Sequence, residues 1–228
     1  MACQAAGIYS HVVSPIRSRA SYHHGSLRET LISACLELIR AEGIGAVSLR
    51  RVAREAGVSP GAPYHHFADR SALLTAICVE GFRLLESRLT EARAGAASPD
   101  AALTALMKAY VRFAHEQPAY FHLMFRPELV RPDEHPDAKS AGKWAFRVLR
   151  EVVEECQLAG TVPPGPAAPL IGTVWALGHG LASLWVDGPL QDRSKDLGES
   201  PEALIDQVAT GMRAILAGAT RAGVQLGT

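Results

Sequence analysis

Apolar residues recur at helical spacing along almost the whole chain, and this periodicity constrains the fold more than any other feature. Alternating apolar and polar runs closed by Asn-Gly or Asp-Gly turns are missing, so strands have no support. The expectation is an all-α protein of about nine helices. With 228 residues, 48% of them apolar, such a chain can bury a real core without staples.

Turn and capping residues divide the pattern. Ser26 opens a first helix whose stripe is Leu27, Leu31, Ala34, Cys35, Leu38 and Ile39, ended by Gly43. Ser48 caps a short second helix with Leu49, Val52, Ala53 and Ala56 inward, closed by Gly57. Ser59 and Pro60 open a third, very short helix through Phe67. Asp69 caps a long fourth helix to about Arg93, and Ser98-Pro99 opens a fifth that ends before Pro118. Ala119 to Phe125 is the sixth, and prolines make Arg126 to Pro136 a loop. The seventh runs from about Asp137 to Leu158, the eighth from about Ala167 to Val186, and Ser200-Pro201 opens the ninth. Residues 1–22 have no amphipathic period and read as a flexible N-terminal arm.

Several function classes fall away. Cys3, Cys35, Cys78 and Cys156 are far apart and form neither a disulfide framework nor a zinc knuckle; they read as ordinary thiols in a reducing, cytoplasmic compartment. The first twenty residues lack a basic start followed by a continuous apolar core, so they do not read as a signal peptide. From Gly160 to Val186 no residue is charged, but Pro163, Pro164, Pro166 and Pro169 break the run, and the rest reads as a helix buried on several sides, not a membrane span. No G-x-S-x-G, phosphate loop or H-E-x-x-H occurs, so an enzyme and a cofactor are not expected. The pairs His23-His24 and His65-His66 diverge on a helix and have no carboxylate or cysteine at ligand spacing, so no metal is expected either. Net charge is zero, yet between Arg17 and Arg70 eight arginines face five carboxylates, which makes this part locally basic.

That basic segment contains two short helices joined by Gly57-Val58-Ser59, the spacing of a helix-turn-helix. In such a unit the second helix enters the major groove tip first while the first crosses the phosphate backbone. Ser48, at a helix start, can offer its hydroxyl and free backbone N–H groups to a phosphate, and Arg50, Tyr64, His65 and Arg70 can hold neighbouring phosphates. Ser59, Gly61 and Ala62 are small enough for close approach to base edges. Arg17 and Arg19 could reach a minor groove but read first as a solvated tail, and His66 and Phe67 read as packing residues. A helical protein-interaction module without DNA binding would show the same periodicity, but it has no need of small tip residues flanked by arginine.

The run from Ser48 to Leu74, SLRRVAREAGVSPGAPYHHFADRSALL, resembles the DNA-binding domain of the tetracycline-repressor-like (TetR) regulators, through Ser48, Arg50, Val52-Ala53, Ala56-Gly57-Val58-Ser59, Tyr64-x-His66-Phe67, Arg70 and Leu73-Leu74. The strong part spans about Ser26 to Ala76. HEQPAYFHLMF (His115 to Phe125) and WALGHGLASLWVDG (Trp175 to Gly188) are similar to the C-terminal domain of a subgroup with a Trp/His/Gly signature. Pro63 departs from the family pattern, which has a branched or aliphatic residue there, and the recognition helix has no Arg or Lys, so guanine reading by it is not expected. The resemblance implies a DNA-binding domain (residues 23–70) joined by a long helix to an effector-binding and dimerisation domain (residues 71–228), acting on operator DNA and released by a small hydrophobic effector. The eighth and ninth helices carry more apolar and small-residue surface than a monomer hides, which suggests a homodimer closed through these last two helices. Tyr110, Phe121, Met124, Trp144, Trp175 and His179 are the expected effector-binding residues, and Gly178 and Gly180 beside His179 suggest a cavity.

Overall fold

The computed structural model describes residues 26–130 and 136–224. The expected arm, with Arg17 and Arg19, and the pair His23-His24 lie outside the described residues. Among those described, the regular structure is helical throughout: α1 (Ser26–Glu42), α2 (Leu49–Glu55), α3 (Arg70–Ala94), α4 (Pro99–Glu116), α5 (Pro118–Met124), α6 (Pro127–Val130), α7 (Pro136–Leu158), α8 (Ala167–Val186), α9 (Pro189–Asp196) and α10 (Pro201–Arg221). Two short 3-10 turns, Ile44–Ala46 and Ala62–His65, flank α2.

Four of the expected caps form. The side chains of Ser48, Asp69, Ser98 and Ser200 accept from the backbone N–H groups of Arg51, Ala72, Ala101 and Ala203, each satisfying a donor that the first helical turn leaves open. Pro99, Pro118 and Pro201 stand at helix starts, where a missing N–H costs nothing. The body is built around α3, which packs on α4, α5 and α7, while α4 also carries α8 and α10. Leu73, Leu74 and Ile77 of α3, Leu103, Val111 and Phe113 of α4 and Val152 and Val153 of α7 form its most deeply buried part. Gly81 lets α3 and α5 meet, since a methyl there would stand 2.8 Å from Met124 Sδ and 2.9 Å from Tyr120 Cδ1.

Four elements differ from the sequence expectation. The third helix is only the 3-10 turn Ala62–His65, because Pro63 has no N–H to send back to Ser59; Ala62 N–H bonds Ser59 O at 3.0 Å instead. The expected loop after Arg126 contains α6, held to α3 by Thr75 Oγ1 on Val130 O (2.8 Å) and Ser71 Oγ on Leu129 O (3.3 Å). An unforeseen helix, α9, precedes the ninth expected one, which is therefore α10; α9 is strongly polar and buries only Leu190 and Ser194, so its apolar signal is weak. The apolar helix α8 also departs from the expectation of burial on several sides: it packs on α4, α7 and α9, yet only 33% of its apolar window is covered within the chain.

Candidate functional site

The first candidate surface is the helix-turn-helix. Gly57 turns the chain at φ 68°, a conformation that side chains resist, and Val58 N–H closes back on Ala53 O at 2.9 Å. Val52, Ala53, Pro63 and Phe67 bury the inner side, and Arg28 lies over the Phe67 ring at 5.6 Å. Pro63 is itself buried in this core, so its effect on the turn comes through the backbone. The outer side presents Arg50, Ser59, Gly61, Tyr64 and His65 to solvent, with Ala62 half-buried among them. Tyr64 is 54% exposed, an uncommon position for an aromatic ring that has no outside partner. His66, expected to pack, is exposed: the turn that buries Phe67 sends the neighbouring side chain outward.

Ser48 caps α2 through an oxygen lone pair, which leaves its hydroxyl hydrogen available. Arg70 is held differently from the other basic candidates. Its Nε donates to Val47 O at 2.9 Å and Nη2 to Ile44 O at 2.8 Å, so the guanidinium fixes the segment that aims α2. Arg51 Nη2 meets Glu42 at 2.5 Å, while Arg50 carries its charge outward without a carboxylate partner among the described residues.

The second candidate is a cavity of about 680 Å³ between α3, α4, α7 and α8. Tyr110 and Trp175 line it, together with Phe82, Leu85, Phe125 and Phe146. Behind this wall stands His179, whose Nδ1 lies 2.8 Å from Tyr110 Oη and whose ring is 4.6 Å from Phe125, 5.3 Å from Phe121 and 6.1 Å from Trp175. Burial holds the His179 pKa below the usual imidazole value, so the neutral ring can accept the Tyr110 hydroxyl; burial pushes the Tyr110 pKa up. Phe121, Phe125 and His179 also line a cleft of about 600 Å³ on their far side, which reaches Gly43, Gly45 and Arg70. Phe125 lines both spaces and so stands between the cavity and the cleft at the segment that aims α2.

The other expected residues lie elsewhere. Met124 is buried against Gly81, and Trp144, 37% exposed on α7, does not line the cavity. Gly180 faces open space on the uncovered side of α8, and Gly178 meets Met107 and Tyr110 at ordinary contact distance, so neither glycine opens the cavity. Sequence reasoning missed Phe82, Phe125 and Phe146, and also Lys143, Arg147 and Arg150, which line the cavity from α7. The spacing of these three cations, one face of a helix, was the available signal. Cys35 and Cys78 are buried, and that burial pushes both thiols up to about 12, as befits core residues and not redox sensors.

Comparison with known proteins gives matches over both regions of the chain. Residues 31–77 match a model described as bacterial regulatory proteins, tetR family, and residues 103–208 match a tetracyclin repressor-like C-terminal domain. The HTH-type transcriptional regulator BetI of Rhizobium meliloti (strain 1021) is 34% identical over 110 residues, 47% of this chain and 54% of that regulator, so this chain spans about half the length of the curated relative it matches. A solved structure of a protein of unknown function from Rhodococcus sp. RHA1 is 33% identical, with 87% of this chain and 100% of that chain covered at a TM-score of 0.75. The transcriptional regulator FadR from Bacillus subtilis, solved in complex with stearoyl-CoA, shares the fold at 15% identity and a TM-score of 0.65, covering 86% of this chain and 99% of its own.

Proposed function

This chain belongs to the tetR family of bacterial regulatory proteins, DNA-binding transcription regulators with a ligand-binding domain, and from that premise we propose that it is a cytoplasmic repressor released from a pseudo-palindromic operator by a small effector. The observation that carries the DNA reading is the outer face of the helix-turn-helix. Ser48, Arg50, Tyr64 and His65 supply phosphate contacts, and Ser59, Gly61 and Ala62 set sequence preference. Arg70 contributes by holding Val47 and Ile44 in place, so that α2 meets the backbone at a fixed angle. The domains divide near residue 70, where α3 begins.

Two copies associate through α8 and α10. Ala168, Gly172, Ala176, Gly180 and Leu184 follow one another at i+4 along the uncovered side of α8, and Ile215 on α10 is 72% exposed. Small side chains allow close helix approach, and covering this face removes apolar surface from water. The paired recognition elements then address half-sites roughly 34 to 36 Å apart. Sedimentation as a monomer at micromolar concentration overturns this arrangement.

The effector occupies the 680 Å³ cavity, a size usual for small-molecule sites. By displacing the wall of Phe125, His179 and Phe121 it favours a setting of α3 and of the cleft at Gly43 and Arg70 in which the two recognition elements lose register. About 100-fold release requires about 2.7 kcal/mol of preference for the DNA-free form. The test is a mobility-shift titration on the upstream region of the protein's own gene, comparing wild type with Arg50→Ala, Tyr64→Ala, Trp175→Ala and His179→Ala. Unchanged DNA affinity in the first two defeats the docking; effector release at one concentration from wild type and the last two defeats the cavity assignment. A helical interaction module without DNA binding predicts no shift with any of the five proteins.

A further inference from the structure

We infer that the effector is an anionic amphiphile, with its apolar chain in the cavity and its negative head at a cationic rim on α7. This rests on the reading that the cavity is the effector site and narrows the class of ligand. Lys143, Arg147 and Arg150 stand at i, i+4 and i+7 on α7, all three line the cavity, and all three side chains remain exposed. Among the described residues, no carboxylate lines the cavity. The interior beside these cations is hydrocarbon and aromatic: Phe82, Leu85, Phe125, Phe146 and Trp175.

A row of cations on an exposed helix is ordinarily a solvated face, so the partners of these three decide the matter. On α3, Arg88 meets Glu116 at 3.1 Å and Arg93 meets Glu151 at 2.5 Å. Arg147 is itself shared between Glu86 at 3.5 Å and Glu151 at 3.6 Å. Lys143 and Arg150 have no carboxylate at ion-pair distance among the described residues. Among the described residues, two cations without a carboxylate partner therefore border an apolar space on one side and water on the other. Long basic side chains suit that border, because their methylene stems cover apolar surface while their heads stay hydrated. A bound chain that shields the rim from water strengthens an ion pair formed there, since the local dielectric falls. An uncharged ligand gains nothing from Lys143 and Arg150, and a cationic one is repelled by them.

The shared chemistry, an acyl chain bearing an anion, fits both a free carboxylate and a thioester whose charge resides on phosphates. Calorimetric titration of the full chain with decanoate, decanoyl-coenzyme A, 1-decanol and decyltrimethylammonium separates the possibilities. At low salt, at least one anionic ligand should bind 10-fold or more tighter than decanol, with the cation weakest. A preference for decanoate identifies the carboxylate, and a preference for the thioester identifies the phosphates. The double variant Lys143→Gln, Arg150→Gln should bring the preferred anion to within about 2-fold of decanol and leave decanol unchanged, which a merely structural role would not do. Trp175→Ala should weaken all the ligands that bind.

Equal affinity for the anions and decanol, or an anion preference that survives the double substitution, overturns the inference. In the first case, loss of all binding in Trp175→Ala still leaves the cavity as the effector site. Failure of both anions to bind a folded protein also overturns it, and the operator-release titration then judges the cavity separately.

Discussion

The recognition end and the cavity end of this molecule are assembled from contacts of opposite range. Around the helix-turn-helix, the turns and caps are set by local contacts, Ser48 to Arg51, Asp69 to Ala72, Val58 to Ala53, and Ala62 to Ser59, with the Arg70 clamp on Val47 and Ile44 as the longer tie. Around the cavity they join distant helices: Tyr110 to His179, Phe146 to Trp175, and Arg147 to Glu86. A DNA-reading surface must be rigid and repeatable, which short capped elements achieve at little entropic cost. A cavity that responds to a ligand must have walls that several elements share, so that filling it shifts them together.

The largest expected contrast comes from truncating one phenylalanine in each region. Phe67 is 3% exposed under the recognition turn, and Phe67→Ala should cost about 3–5 kcal/mol and abolish operator binding. Phe146, 42% exposed at the cavity, should cost well under that when changed to alanine and leave operator affinity intact. Urea denaturation with a parallel mobility shift measures both, and equal costs would erase the contrast.

Next in size is the packing of α3 on α5. Gly81→Ala places a methyl against Met124 and Tyr120, and overpacking of this kind costs about 1–3 kcal/mol. The midpoint of denaturation should fall without a change in the denaturant slope.

Arg50 and Arg70 then divide charge from geometry. Arg50→Ala should lower the slope of log affinity against log salt by about 1 while leaving stability unchanged. Arg70→Ala removes two charge-assisted bonds to Val47 and Ile44, so it should lower stability by roughly 1–3 kcal/mol and weaken DNA binding chiefly through the loosened aim of α2. A full loss of salt slope with no loss of stability in Arg70→Ala would make it a phosphate contact like Arg50.

The smallest effect is a pH dependence carried by His179. Its pKa in the folded protein lies below the ordinary value of 6.5, so the unfolded chain binds the proton more readily. Its contribution to stability is fully present above 6.5 and is lost as pH falls through the lowered folded value. Thermal melts of wild type and His179→Gln from pH 8 to pH 5 should converge toward the acid end, the wild type losing the more; parallel curves would mean that burial of His179 does not govern its protonation.

Reading the chain alone recovers what local chemistry decides. Periodicity yields the all-helical fold, hydroxyl and carboxylate residues mark the caps of α2, α3, α4 and α10, and Gly57 marks the turn. The exposed positions Arg50, Ser59, Gly61, Tyr64 and His65 are legible too, because they follow from the phase of two short elements. Tertiary structure alone decides that Pro63 reduces the recognition helix to a 3-10 turn and still fills the core, that Arg70 clamps the approach to α2, and that α9 intervenes before α10. It also decides that Tyr110 and Trp175 face the cavity while Met124 and Trp144 do not, and that Lys143, Arg147 and Arg150 do. The reason is physical: helical phase says which side of a helix is apolar, but only the crossing of that helix with others says whether the side meets a neighbour or an open space.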